Sequence, residues 1–142
     1  MWVVRTLLLL ATLALVACGT VAPGERTLFE RLGGMPGVDR IVAGLLWEIA
    51  EDPLVLPLFA DTDIERFRNK LVEQLCEVAD GPCRYSGDSM TETHRRLGIT
   101  SAQFNSLVDD LIRAMEREGV PVGAQNALLQ RLARMHADIV AG

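Results

Sequence analysis

The sequence predicts an all-α fold, and three observations lead there. Apolar residues recur at helical spacing in four separate stretches, around residues 38–49, 64–78, 104–115 and 128–139. No stretch alternates apolar and polar residues as a half-buried strand would. Apolar content is 49% while aromatics make up only 5%, an aliphatic composition suited to packed helices. The chain has 142 residues, enough for one domain. Its net charge of −5 argues against a nucleic-acid partner.

The front end reads as a targeting segment. Arg5 supplies a short positive region, and residues 6–16 form a nearly unbroken apolar run. That run is short for a membrane span and fits a signal-peptide core. It ends in Leu15-Val16-Ala17-Cys18-Gly19. Residues 18–26, with Pro23 and Gly24, read as a polar tether, and the folded domain is expected over residues 27–142.

Leu28, Phe29 and Leu32 mark a short first helix stopped by Gly33-Gly34. Pro36 suits the first turn of the next helix, which carries Val38, Ile41, Val42, Leu45, Leu46 and Ile49 inward. Asp52-Pro53 breaks it. Leu54 to Phe59, with Pro57 inside, predicts one irregular turn. Thr62 and Glu65 read as a capping box for a helix with Ile64, Phe67, Leu71, Leu75 and Val78 on one stripe and Lys70 at its border. Asp80-Gly81-Pro82 ends that helix, and a loop through Tyr85-Ser86-Gly87 comes next. Ser89 with Glu92 reads as a capping box that starts a short helix, which Gly98 terminates. Thr100 with Gln103 opens a long helix with Phe104, Leu107, Val108, Leu111, Ile112 and Met115 inward, closed by Gly119 and Pro121. A last helix is expected to use Leu128, Leu132, Met135 and Ile139.

The chemistry centres on the short helix. His94 is one of two histidines. Met90 and Leu97 lie one turn either side of it and share its face, so one imidazole is presented from an apolar surface. Arg95 and Arg96 point away. By itself this pattern describes a core histidine as well as a ligand. His136, near the end of the chain, reads as an edge residue. A zinc site built from His94, His136, Cys76 and Cys83 lacks the expected short ligand pairs. Cys76 and Cys83 straddle a helix end; export would permit a disulfide between them, and two free thiols are the other reading.

The order of Leu28-Phe-Glu-Arg-Leu-Gly-Gly34, Glu51-Asp-Pro53, Leu58-Phe-Ala-Asp-Thr-Asp63, Gly81-Pro-Cys-Arg-Tyr-Ser-Gly87, Met90-Thr-Glu-Thr-His94, Leu97-Gly-Ile-Thr100 and Gly119-Val-Pro121 resembles the group 1 truncated haemoglobins. The resemblance spans residues 27–140. It implies a shortened globin fold, a two-over-two helical sandwich around one haem b. It implies His94 as the proximal iron ligand and Phe59 packed against the porphyrin. Met90, Leu97, Ile99, Phe104 and Val108 would line the proximal side, with Lys70 and Arg95 as candidates for propionate contact. The family's distal tyrosine position is Leu46 here, its accompanying glutamine position is Leu71, and Phe67 stands nearest the usual distal residue of globins. A distal donor stabilises bound oxygen, so an apolar distal face predicts weaker preference for oxygen over carbon monoxide and nitric oxide.

The expected function is therefore gas binding, with nitric-oxide dioxygenation, peroxidase-like turnover or a haem-less envelope module as rivals. Dioxygenation would require a reductase partner. The segment Leu15 to Gly19 resembles a bacterial lipoprotein box with Cys18 as the lipidated residue. That implies a lipid anchor on the periplasmic side of the cell envelope, with Gly19 favouring the outer membrane.

Overall fold

The computed structural model describes residues 24–140, so Cys18 and the targeting segment lie outside the described residues. Among those described there are helices and turns but no strand: α1 (Leu28–Arg31), α2 (Gly34–Glu51), α3 (Ile64–Val78), α4 (Met90–His94), α5 (Ser101–Arg117), α6 (Val122–Leu132) and α7 (His136–Ile139). One 3-10 turn, Leu56–Phe59, separates α2 from α3, and another, Ala133–Met135, separates α6 from α7. No helix among the described residues is long and apolar enough to cross a membrane.

Local chemistry sets most boundaries. Thr27 and Glu30 form a reciprocal capping box on α1. Gly33 adopts φ +95 at the start of α2, a left-handed conformation that lets the two helices succeed one another without a linker. Asp52 ends α2 and accepts the Leu54 N–H at 2.7 Å. Thr100 and Gln103 form the second reciprocal box, on α5. Two expected capping boxes are corrected. Asp63, not Thr62, caps α3, accepting the Arg66 N–H at 3.0 Å; a carboxylate at this position is favoured by the helix dipole. Ser89 does accept the Glu92 N–H at 3.2 Å, but the Glu92 carboxylate turns to Arg95 instead of back to the cap.

The expected last helix is also corrected. It breaks at Ala133–Met135, so Met135 and Ile139 reach inward from separate short elements.

The core lies between α2, α3, α5 and α6. Ile41, Val38, Val42, Leu75, Met115 and Leu128 are fully enclosed. The α2–α5 seam is the most extensive helix pair. Gly44 faces Ala114 there, and a Cβ at Gly44 would lie 3.3 Å from the Ala114 Cβ; its absence lets the backbones approach closely. Behind this seam sits a charged cluster. Arg113 bonds Glu48 at 2.9 Å and also bonds the fully buried Asp110. Arg117 lies 2.8 Å from Glu48 Oε1 without hydrogen-bond alignment, so that oxygen and Asp110 Oδ2 have no hydrogen bond. Burial, then repulsion from Asp52, pushes the Asp110 carboxyl above the usual range.

Helix α4 differs from the rest. It has five residues and none of them is buried. Its tertiary support comes from α7, including Thr91 Oγ1 donating to Asp138 at 3.3 Å. The loop from α3 supplies its other restraint.

Candidate functional site

A cavity of about 440 Å³ opens beside the core. One side is α3, which contributes Phe67, Leu71, Gln74 and Leu75. The other runs from α4 into α5: Met90, His94, Leu97 and Ile99, then Phe104 and Val108. Leu45 of α2, Phe59 of the 3-10 turn, and Leu132, Met135 and Ile139 close the ends. Phe59 and Phe67 stack edge to face with ring centroids 4.9 Å apart, which fixes both rings. Hydrocarbon dominates this surface, as small-molecule sites require.

His94 supplies the one imidazole of the wall. Its Nδ1 lies 2.7 Å from the Met90 carbonyl oxygen. A carbonyl only accepts, so Nδ1 carries the proton and Nε2 of the neutral ring keeps its lone pair. This is the tautomer a metal ligand needs, held by an outer partner in the usual way. The other histidine, His136, stacks edge to face on Phe104 at 4.6 Å between centroids and lies outside the lining.

The rim is polar. Lys70 lines it and reaches Glu73 at 3.0 Å and the Ser86 hydroxyl at 2.5 Å. Glu73 also accepts the Ser86 N–H at 3.1 Å and its O–H at 2.8 Å. The Ser86 hydroxyl, then Lys70, hold the Glu73 carboxyl below its ordinary range. Arg66 also lines the rim. Tyr85 donates to the Asp88 carbonyl at 2.9 Å, and burial raises its hydroxyl pKa.

The structure brings together ten of the predicted site residues: His94, Phe59, Met90, Leu97, Ile99, Phe104, Val108, Phe67, Lys70 and Leu71. Two are corrected. Leu46 is half-buried and does not line the cavity; Leu45, about 100° round α2 and on its buried stripe, does. Arg95 is exposed and pairs with Glu92 at 2.7 Å, away from the lining, so Arg66 joins Lys70 as the rim cation. Sequence reasoning missed Gln74. It lies three residues after Leu71 and seven after Phe67, on the same stripe, so periodicity alone would have found it. Its amide N–H faces the sulfurs of Met90 at 3.2 Å and Met135 at 3.5 Å, both weak acceptors. The α3 wall is therefore not wholly apolar.

Cys76 and Cys83 are bonded, with Cα atoms 5.7 Å apart. That removes both from the zinc alternative, and no cluster of three or more His, Cys, Asp or Glu among the described residues is arranged to hold a metal ion.

The residues fit a haem. The cavity is apolar, one wall offers an imidazole with a free Nε2, and two cations, Lys70 and Arg66, also line it. Comparison with known proteins agrees. The model of the family described as "Bacterial-like globin" matches residues 27–141. A group 1 truncated haemoglobin of Nostoc commune is 34% identical over 114 residues, covering 80% of this chain and 97% of that protein. One from Mycolicibacterium paratuberculosis is 26% identical, covering 82% and 85%. Among solved structures, the Fe(III) truncated haemoglobin of Tetrahymena pyriformis superposes with a TM-score of 0.79 at 22% identity, covering 82% of this chain and all of that one. The 2/2 haemoglobin of Synechococcus sp. PCC 7002 gives 0.76 at 21%, covering 81% and 98%. The chain belongs to the bacterial-like globins and, within them, to the group 1 truncated haemoglobins. It is a haem-binding globin with an all-helical two-over-two fold.

Proposed function

We propose that this chain binds diatomic gases (oxygen, nitric oxide and carbon monoxide) at a haem b ligated by His94. The observation that carries the reading is the His94 Nδ1 contact to the Met90 carbonyl within an apolar cavity. A haem bound there supplies an iron centre that takes up such gases. The chain does the rest. Met90 O orients the imidazole and fixes its tautomer. Phe59, Phe67, Leu71 and Leu75 exclude water from the α3 side. Lys70 and Arg66, both in the lining, would supply the cations for the haem propionates.

The α3 face sets ligand preference. It presents hydrocarbon at Phe67 and Leu71, with Gln74 as its one uncharged polar side chain in the cavity lining. A polar donor in a dry site contributes about 1 kcal/mol net. With leucine at position 71, discrimination toward oxygen is weak, and carbon monoxide and nitric oxide are favoured. The apolar run ending in Leu15-Val16-Ala17-Cys18 supports export and lipid anchoring on the periplasmic side.

The test is a carbon monoxide difference spectrum of the dithionite-reduced, haem-loaded protein. The expected result is saturable one-to-one binding with a single sharp Soret change. A reduced spectrum unaltered by carbon monoxide at any concentration would overturn the gas-binding reading.

A further inference from the structure

The Cys76–Cys83 bond stands at the joint between the two walls of the cavity. Cys76 is fully buried in the last turn of α3, and Cys83 is half-buried in the loop that leads to α4. That loop, residues 79–89, has no regular structure beyond turns. Its far half is fastened to α3 by Glu73, through the Ser86 N–H and O–H. Its near half is fastened by Arg131, which bonds the Val78 carbonyl at 2.5 Å and Asp80 at 2.7 Å. Between these two fastenings the disulfide is the covalent one. Helix α4 buries no side chain of its own, so the place of His94 relative to α3 depends on this loop as well as on α7 and the weak Gln74–Met90 contact.

We propose that the chain holds its cofactor under thiol–disulfide control, the Cys76–Cys83 bond being the switch. This rests on the haem reading above. The reductant is a dithiol. Its thiolate attacks the more accessible sulfur, Cys83 Sγ; the S–S bond breaks and Cys76 leaves as a thiolate that takes a proton. The second thiol of the reductant then attacks the mixed disulfide and releases Cys83, which also takes a proton. Two electrons and two protons pass from the dithiol, which becomes a cyclic disulfide. Burial disfavours the departing Cys76 thiolate, so exchange is slow and the switch answers to sustained reducing conditions, not to brief ones. Once cut, the loop loses its covalent tie. Residues 84–89 then rest on the Glu73–Ser86 bonds, which are solvent-exposed, and α4 gains freedom relative to α3.

The experiment measures haem transfer from the loaded full chain to an excess of a high-affinity acceptor globin, with the protein oxidised or pre-reduced by dithiothreitol. A Cys76→Ser/Cys83→Ser variant is run without reductant, so that any action of the reagent on the iron is separated from the thiol effect. We expect at least fivefold faster loss from the reduced chain, matched by the variant. Equal rates for oxidised and reduced protein, or a variant that behaves like the oxidised chain, overturn the proposal. Hydrogen exchange of the haem-free chain provides the arm independent of haem. Amides of residues 84–94 are expected to exchange at least tenfold faster on reduction. Unchanged exchange there overturns the proposal with the haem reading intact, whereas failure to load haem at all overturns the haem reading and this proposal with it.

Discussion

The Nδ1 of His94 lies 2.7 Å from the carbonyl oxygen of Met90, one helical turn earlier on α4. This contact turns an imidazole on an apolar wall into a prepared ligand. Because the acceptor belongs to the backbone, no side-chain substitution removes it, and the tautomer is set before any cofactor arrives. Long-range nitrogen–proton correlation spectra of the haem-free protein, taken where His94 is neutral, are expected to show Nδ1 protonated. A ring protonated at Nε2 would contradict the arrangement.

The α3 wall makes a prediction about ligand choice. Leu71→Gln places an amide on the lining stripe beside Gln74, where the wild type has hydrocarbon. A donor of that kind is worth about 1 kcal/mol net, so oxygen release should slow by roughly fivefold while carbon monoxide release changes little. Flash photolysis and stopped-flow mixing measure both. Equal slowing of both gases would mean the side chain obstructs exit and does not donate.

The order of helices and the His94 wall were legible in the sequence because both are periodic. Val38, Ile41, Val42, Leu45 and Ile49 repeat at helical spacing, and all five are buried. What periodicity could not fix was rotation by a single position. Leu45 and Leu46 are adjacent leucines that the sequence reading places inward alike, and only packing shows that the cavity takes Leu45. Thr62 and Asp63 are both good caps in adjacent positions, so the choice fell to backbone geometry at the loop. The disulfide was undecidable from spacing, since pairing needs the positive φ of Asp80 and the tight turn at Gly81 to fold Cys83 back on Cys76. Gln74 stands at i+3 of Leu71 and i+7 of Phe67, so helical position alone places it on the α3 stripe even though its side chain is polar.

The core should respond as a close-packed interior. Leu128 is fully enclosed between α6 and the α2–α5 seam. Leu128→Ala is expected to cost about 2–5 kcal/mol in denaturant unfolding, whereas Val122→Ala, at a residue 68% exposed, should stay within about 0.5 kcal/mol. Similar costs at the two positions would contradict the packing described.

Asp110 predicts the pH response of the α2–α5 seam. Its folded pKa is raised by burial and by Asp52, so the folded state holds the proton more tightly than the unfolded chain. Its contribution is fully present below the unfolded carboxylate pKa and is lost as pH rises through the raised folded value. Arg113 bonds both Glu48 and Asp110, and Glu48 faces the same cluster. Asp110→Asn should therefore flatten the stability profile across that window and leave the melting temperature near neutral pH equal or higher. A variant that is less stable at neutral pH, with the slope intact, would show that Asp110 acts as a charged partner of Arg113.

The proposed gas binding requires His94 as the iron ligand. The most direct measurement is a haemin titration of the chain and of His94→Ala, with absorption spectra recorded before and after reduction. The wild type is expected to saturate at one haem per chain with a sharp Soret band and, once reduced, the spectrum of a histidine-ligated iron. The variant is expected to lose that spectrum and to bind haemin at least tenfold more weakly. Identical titrations and spectra for the two proteins would contradict the assignment of His94, and with it the function built on this cavity.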